Sequence, residues 1–166
     1  MTEGVKQMEV KRLAAGESLW TKAADFAERG SWAAGKHVAQ LLRENRFGDR
    51  EAFFAAVESG RIRGYCTFLK EDYFSENRYT PWISSVFVTE EARGNKISFQ
   101  MIETAVAYAR SCGFRKVYIP SETRGLYEKC GFREIDAMTN LAGDICVIYE
   151  REILQGDETD LKGGSI

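Results

Sequence analysis

Residues 82 to 119 constrain the fold of this chain more than any other stretch. Trp82–Val88 (WISSVFV) is apolar at both parities, with Trp82, Val86 and Val88 on one side and Ile83 and Phe87 on the other. A strand that is apolar on both faces belongs inside a sheet covered on both sides. After the turn Thr89–Gly94, residues Asn95–Cys112 carry Phe99, Ile102, Val106 and Ala109 at helical spacing, and Gly113 follows where a C′ glycine would stand. Lys116–Ile119 then reads as another short strand. Strand, long helix, strand is a βαβ unit, so these two strands are predicted parallel, joined by a right-handed crossover.

The rest of the chain predicts hairpins and two early helices. Val5–Leu13 reads as a first strand, and Ala15–Arg29 as a helix with the stripe Leu19, Ala23, Phe26, Ala27, ending before Gly30. Ser31 is the expected cap of a second helix bearing Trp32, Val38, Leu41 and Leu42. Ala52–Val57 and Ile62–Lys70 form a hairpin about Ser59–Gly60, although Phe54–Val57 also fits a helical fragment. Gly125–Lys129 reads as a short helix stopped by Gly131; Phe132–Thr139 and Ile145–Ile153 pair about Gly143–Asp144. The expected fold is therefore α/β: one domain over residues 1–153, a mixed and mostly antiparallel sheet flanked by helices, with residues 154–166 a loose polar tail.

Composition narrows the function. At 166 residues the chain fits one domain. Its 23 basic and 25 acidic residues give a net charge of −2, which argues against a nucleic-acid partner. No apolar run approaches the roughly 20 residues that cross a bilayer, and the N-terminus has no apolar h-region, so neither a membrane partner nor secretion is expected. Cys66, Cys112, Cys130 and Cys146 contain no CxxC pair, and His37 is the single histidine. No metal site is expected, and the thiols read as small buried hydrophobes of a cytoplasmic protein.

The turn Arg93-Gly94-Asn95-Lys96-Ile97-Ser98 leads into the long helix. A helix N-terminus offers unpaired amides and about half a positive charge. Gly94 lets backbone approach a ligand, Arg93 and Lys96 add cations, and Ser98 adds a hydroxyl, so the segment can cradle a pyrophosphate. An ordinary turn with solvated cations accounts for the same residues. Neither GxGxxG nor GxxxxGK[ST] is present.

Val86–Ala107 (VFVTEEARGNKISFQMIETAVA) resembles the acetyl-CoA-binding segment of the GNAT superfamily of N-acetyltransferases. The family pattern is Arg or Gln, two residues, Gly, one residue, then Gly or Ala. Aligned on Arg93, Lys96 stands at the middle glycine and Ser98 at the last small position. If Lys96 must take φ > 0 there, strain follows. Gly125–Phe132 (GLYEKCGF) resembles the family's second segment, with Tyr127 34 positions after Arg93. The resemblance spans about residues 50–153 and implies a GNAT-like fold with a splayed parallel strand pair. It implies acetyl-CoA as co-substrate, held by the backbone of Val86, Phe87 and Val88 and by Arg93, Gly94, Asn95, Lys96, Ile97 and Ser98. One amide on the strand would polarise the thioester carbonyl, a contribution of about 3–4 kcal/mol.

The same resemblance makes Tyr127 the general acid that eases departure of the CoA thiolate; a core aromatic is the other reading. The acceptor implied is a primary amine of a small molecule, with a protein or peptide amine, or a non-catalytic CoA-binding sensor, as alternatives; homodimers are common in the family. An alkylamine near pKa 10.4 loses its proton at pH 7 at a cost of roughly 4–5 kcal/mol. Glu71, Asp72 and Glu76 could draw that proton, Ser84 and Ser85 could hold a relay water, and Trp32 and Trp82 could wall the acceptor cleft. Each of these also reads as ordinary surface or core, Glu90 and Glu91 as solvent-facing, and His37 as a surface residue.

Overall fold

The computed structural model describes residues 8–30, 32–94 and 96–154. The elements are β1 (Met8–Leu13), α1 (Ser18–Arg29), α2 (Ala34–Arg43), β2 (Ala52–Glu58), β3 (Arg61–Leu69), β4 (Trp82–Val88), α3 (Ile97–Ser111), β5 (Lys116–Ser121), β6 (Arg133–Thr139) and β7 (Ile145–Glu152). The elements follow the expected β-α-α-β-β-β-α-β-α-β-β order, with a 3-10 turn at Tyr127–Cys130 in place of the last helix. The strands form one seven-stranded sheet in the order β1-β2-β3-β4-β5-β7-β6. β4 and β5 are the parallel pair, with Trp82 opposite Tyr118. β1–β2, β2–β3, β5–β7 and β6–β7 are antiparallel. This is the mixed, mostly antiparallel sheet that the sequence predicts.

Contacts group the chain into two compact units, Met1–Leu69 with Ile83–Thr104, and Lys70–Trp82 with Ala105–Ile166. In the first, Ser59 and Gly60 take left-handed φ values of 53° and 77°, the conformation a two-residue hairpin turn needs. That turn fixes β2 as a strand rather than a helical fragment. All of β2 but its last residue is buried. The core of this unit gathers Leu13, Trp20, Val38, Leu42, Phe53 and Tyr65, among others. Gly35 lets α1 and α2 cross closely: a β-carbon there would collide with the Ala27 carbonyl.

In the second unit, Phe74, Trp82, Tyr118, Met138, Cys146 and Ile148 form the core. Trp82 is fully buried with Phe74, ring centroids 5.3 Å apart. β7 sits between β5 and β6, because its Cys146–Glu150 run is buried while β6 (REIDAMT) carries the charges suited to an edge. Gly113 (φ 91°) ends α3, its amide bonding the Arg110 carbonyl while Phe114 N–H reaches Ala109 O.

Several local expectations are corrected. α2 starts at Ala34 with Ala33 at its cap position and no side-chain capping bond; Ser31 lies outside the described residues, as do residues 5–7 of the expected first strand, Asn95 and the tail from 155. α1 begins at Ser18 and α3 at Ile97, each two or three residues later than the periodicity suggested. Tyr127–Cys130 is a single 3-10 turn, not an α-helix. Cys66 and Cys146 are buried, but Cys112 and Cys130 are only half-buried; all four are free thiols. No helix among the described residues is long and apolar enough to cross a membrane.

Candidate functional site

The β4–α3 connection, wholly in the first unit, is built from backbone. Thr89 N–H bonds Arg63 O at 2.8 Å, closing β4 against β3. Glu90–Ala92 make a 3-10 turn, with Glu90 and Glu91 exposed. Arg93 folds back so that its Nε–H donates to the Val88 carbonyl at 3.1 Å. Gly94 (φ 89°) and Lys96 (φ 61°) are both left-handed. The Lys96 carbonyl accepts from Gln100 N–H at 3.1 Å, so it opens the hydrogen-bond ladder of α3. In any α-helix so begun, the amides of the next three residues, here Ile97, Ser98 and Phe99, have no carbonyl partner within the helix. Ile97 is buried, Ser98 half-buried, and Arg93, Gly94 and Lys96 exposed. Exposed cations stand beside an amide-rich turn, an arrangement suited to phosphate oxygens.

β4 departs from the regular alternation that its sequence suggests. Ser85 takes φ 52°, so one left-handed residue interrupts the pleat. Trp82, Ile83 and Ser84 are buried, while Ser85, Val86, Phe87 and Val88 are half-buried. A strand buried throughout is therefore not what forms; only its first half is. Ser84 is committed to the core, its carbonyl accepting from Thr67 Oγ1 at 3.1 Å and the two hydroxyls lying 3.0 Å apart. Gly64 lies under Phe87: a β-carbon there would come within 2.6 Å of the Phe87 carbonyl.

The half-buried stretch of β4 abuts an aromatic cluster that spacing alone does not reveal. The Phe87 ring stacks on Trp32, centroids 5.5 Å apart at 14°. Phe26 meets Phe87 edge-on at 6.1 Å, and Tyr65 lies 5.4 Å from Phe87. Phe26, Trp32 and Phe87 are each partly exposed, whereas Tyr65 is buried. Of the two tryptophans expected at a cleft, Trp32 keeps an exposed face and Trp82 belongs to the core.

Tyr127 is in the second unit, where the turn that holds it is tied down at several points. Gly125 N–H donates to Glu128 Oε1 at 2.8 Å, and the Tyr149 hydroxyl donates to Glu128 Oε2 at 2.9 Å. Phe132 N–H bonds Tyr127 O, Arg151 Nη1 bonds Cys130 O at 3.0 Å, and Gly131 (φ 86°) turns the chain into β6. Hydrogen bonds from its own backbone amide, Tyr149 and Gly125 hold the Glu128 carboxyl below the usual carboxylate range. Burial, then the Glu128 bond, raises the Tyr149 hydroxyl. Tyr127 itself is 8% exposed, its ring edge-on to Phe132 and Tyr149. The sequence places Tyr127 on a short helix over Gly125–Lys129, where a 3-10 turn over Tyr127–Cys130 forms instead, and it does not reveal Tyr149 and Glu128 as the supports of that turn.

The acidic β3–β4 loop is ordered through Asn77, which receives Asp72 N–H and donates to the carbonyls of Asp72 and Phe74. Glu76 lies 3.7 Å from Arg78. Arg78 and the Tyr79 hydroxyl both bond Asp136 Oδ2, at 3.1 and 2.7 Å, and the Tyr79 bond leads in holding Asp136 low. His37 is exposed on α2. No group of three metal-binding side chains occurs among the described residues.

Comparison with known proteins bears on these features. The sequence model of the acetyltransferase (GNAT) family matches residues 17–132. No curated protein matches the chain. Among solved structures, a GNAT family N-acetyltransferase from Escherichia coli in complex with CoA aligns at TM-score 0.70 and 19% identity, over 93% of this chain and 86% of that one. The aminoglycoside 6'-N-acetyltransferase from Enterococcus faecium aligns at TM-score 0.68 and 14% identity, over 88% and 97%. A GNAT family acetyltransferase from Elizabethkingia anophelis with acetyl-CoA bound gives TM-score 0.62 and 16% identity, over 87% and 97%. At these identities the likeness is one of fold.

Proposed function

Because the chain belongs to the acetyltransferase (GNAT) family, we propose that it transfers the acetyl group of acetyl-CoA to a primary amine of a small molecule. Lys96 carries most of the weight. It holds a left-handed φ of 61° at the position where the family signature has glycine, on the turn that opens α3. A residue with a β-carbon adopts that conformation at a cost of about 1–2 kcal/mol, which is tolerated where the backbone shape itself is used. In this reading Arg93, Gly94, Asn95, Lys96, Ile97 and Ser98 hold the pyrophosphate, and the backbone of Val86, Phe87 and Val88 holds the pantetheine arm and thioester.

The reaction forms a bond from the amine nitrogen to the acetyl carbonyl carbon and breaks the carbon–sulfur bond. The nitrogen gives up one proton, and the sulfur leaves as a thiolate that accepts one. Tyr127 supplies that proton, its ring fixed between Phe132 and Tyr149. Catalysis is chiefly a matter of positioning. The four free thiols fit action in the reducing cytoplasm.

A melting scan with acetyl-CoA, CoA and ATP tests the reading. Ligand at a hundredfold over its Kd stabilises by about 2.7 kcal/mol, a rise of roughly 5–10 °C for a chain of this size. A shift with ATP and none with either CoA ligand would overturn it. Tyr127→Phe is expected to slow CoA-thiol release at least about tenfold while leaving the acetyl-CoA melting shift in place; an unchanged rate would remove Tyr127 from the chemistry.

A further inference from the structure

The segment that carries Tyr127 runs between two left-handed glycines, Gly125 (φ 102°) and Gly131 (φ 86°). Inside it, the 3-10 turn Tyr127–Cys130 makes its own short bonds, Lys129 N–H to Leu126 O and Gly131 N–H to Glu128 O, each 3.2 Å. Bonds within a turn fix its shape but not its aim. The aim comes from β7. The Tyr149 hydroxyl donates to Glu128 Oε2 at 2.9 Å, and Arg151 Nη1 donates to Cys130 O at 3.0 Å. Tyr149 and Arg151 stand two positions apart on one strand, hence on the same face of the sheet. They grip the turn at its front and its rear.

Glu128 is the hub of the front grip. Its second oxygen accepts Gly125 N–H at 2.8 Å, so one carboxylate both closes the start of the turn and ties it to β7. A charged acceptor makes such bonds stronger than neutral ones. Tyr149 is fully buried, and its ring meets the Tyr127 ring edge-on at 5.9 Å. A buried hydroxyl needs a partner, and Glu128 supplies it. The same bond therefore orients the Tyr149 ring and, through ring contact, Tyr127. Resting on the reading of Tyr127 as proton donor to the departing CoA sulfur, we propose that Glu128 and Tyr149 are positioning residues of the reaction, whose hydrogen bond aims the Tyr127 hydroxyl at that sulfur. The proton still comes from Tyr127. What the pair contributes is placement, and a misplacement of about 1 Å can cost about a hundredfold in rate.

The test is steady-state release of CoA thiol from acetyl-CoA by the full chain, to water alone and to butylamine, spermidine and kanamycin. It compares the wild type with Tyr149→Phe, Glu128→Gln and Tyr127→Phe, and with each of the first two combined with Tyr127→Phe. Tyr149→Phe keeps the ring and loses one bond. Glu128→Gln keeps the shape but replaces one acceptor oxygen with an NH2 group that cannot accept. Each single change is expected to lower kcat about five- to tenfold, with the KM and the melting shift for acetyl-CoA as in the wild type. In the Tyr127→Phe background the same changes are expected to cost less than about twofold more, because no hydroxyl is left to aim. Equal losses in both backgrounds, a loss confined to KM, or an unchanged kcat in either single variant would overturn the inference. Should Tyr149→Phe not fold, Glu128→Gln decides, since Glu128 is the exposed end of the bond. A wild-type rate in Tyr127→Phe would instead overturn the assignment of Tyr127 beneath it. No thiol release by the wild type to any acceptor, water included, would overturn the acetyl-transfer reading itself.

Discussion

Lys96 and Gly94 frame the β4–α3 turn with the same sign of φ but opposite chemistry. Gly94 at 89° has no β-carbon to strain, whereas Lys96 at 61° does. Replacing Lys96 by glycine removes a left-handed penalty of about 1–2 kcal/mol and adds the entropy of a freer unfolded chain, about 0.5–1 kcal/mol. Lys96→Gly is therefore expected to leave the melting temperature unchanged or raise it by up to a few degrees. Gly94→Ala is expected to lower stability by about 1 kcal/mol or more. Differential scanning calorimetry of both variants without ligand reads the two signs. A clear fall for Lys96→Gly would show that the lysine side chain holds the turn together. Had Lys96 been read only as a cation, this would have been missed. Its mismatch with the family glycine is what makes its backbone legible from sequence.

At the level of elements, β3 and β4 are held close by the absence of a side chain at Gly64. A β-carbon there would stand 2.6 Å from the Phe87 carbonyl and 3.4 Å from Val88 Cα. Both are backbone atoms, so neither can rotate away. Gly64→Ala must separate the strands locally and is expected to cost about 1–3 kcal/mol. It should also displace the backbone assigned to the thioester, so CoA-thiol release should fall by more than melting predicts. Activity intact alongside lost stability would detach Phe87 from the site. A glycine inside a strand is a sign of close backbone approach, but that sign was not read at Gly64 from the sequence. The βαβ unit, the Ser59–Gly60 hairpin and the end of α3 at Gly113 were legible, because each has a local cause. The left-handed Ser85 was not: WISSVFV reads as a regular strand apolar on both faces, and nothing in it marks Ser85 for a φ of 52°. Nor was the aromatic cluster, since Phe26, Trp32, Tyr65 and Phe87 come from four separate segments and meet only on folding. The place of β7 between β5 and β6 is likewise a matter of tertiary pairing, not of spacing within the hairpin.

For the molecule as a whole, both compact units bury weak acids whose neutral forms the fold favours, and this sets the pH limits of stability. Burial pushes the Cys66 thiol from its ordinary 9.0 up to about 12, and it raises the Tyr65 hydroxyl as well. In the second unit, burial, reinforced by the Glu150 charge and hydrogen bond, raises the Tyr118 hydroxyl from 10.0 to about 12. The Tyr118 hydroxyl reaches Glu150 Oε2 at 3.1 Å, and Glu150 also pairs with Arg133 at 3.1 Å. Above pH 9 the unfolded chain releases these protons while the folded chain keeps them. The unfolded state then binds fewer protons, so unfolding becomes more favourable as pH rises. The stabilisation is complete below about pH 9 and drains away as pH climbs through the folded values near 12. On the acid side the sign reverses. Tyr79 leads in holding Asp136 low, and Arg124, in a bidentate pair with bonds of 3.0 and 3.1 Å, leads in holding Glu134 low. The stability these carboxylates contribute is present above their unfolded values and is lost as pH falls through the folded ones. Denaturant unfolding from pH 8 to 11 should therefore show falling stability. Each fully titrated group steepens the decline by about 1.4 kcal/mol per pH unit. Cys66→Ala removes one such group. Its cavity lowers stability at pH 8, yet its decline toward pH 11 should be shallower than that of the wild type by close to one proton. A parallel offset at every pH would show that Cys66 ionises alike in both states.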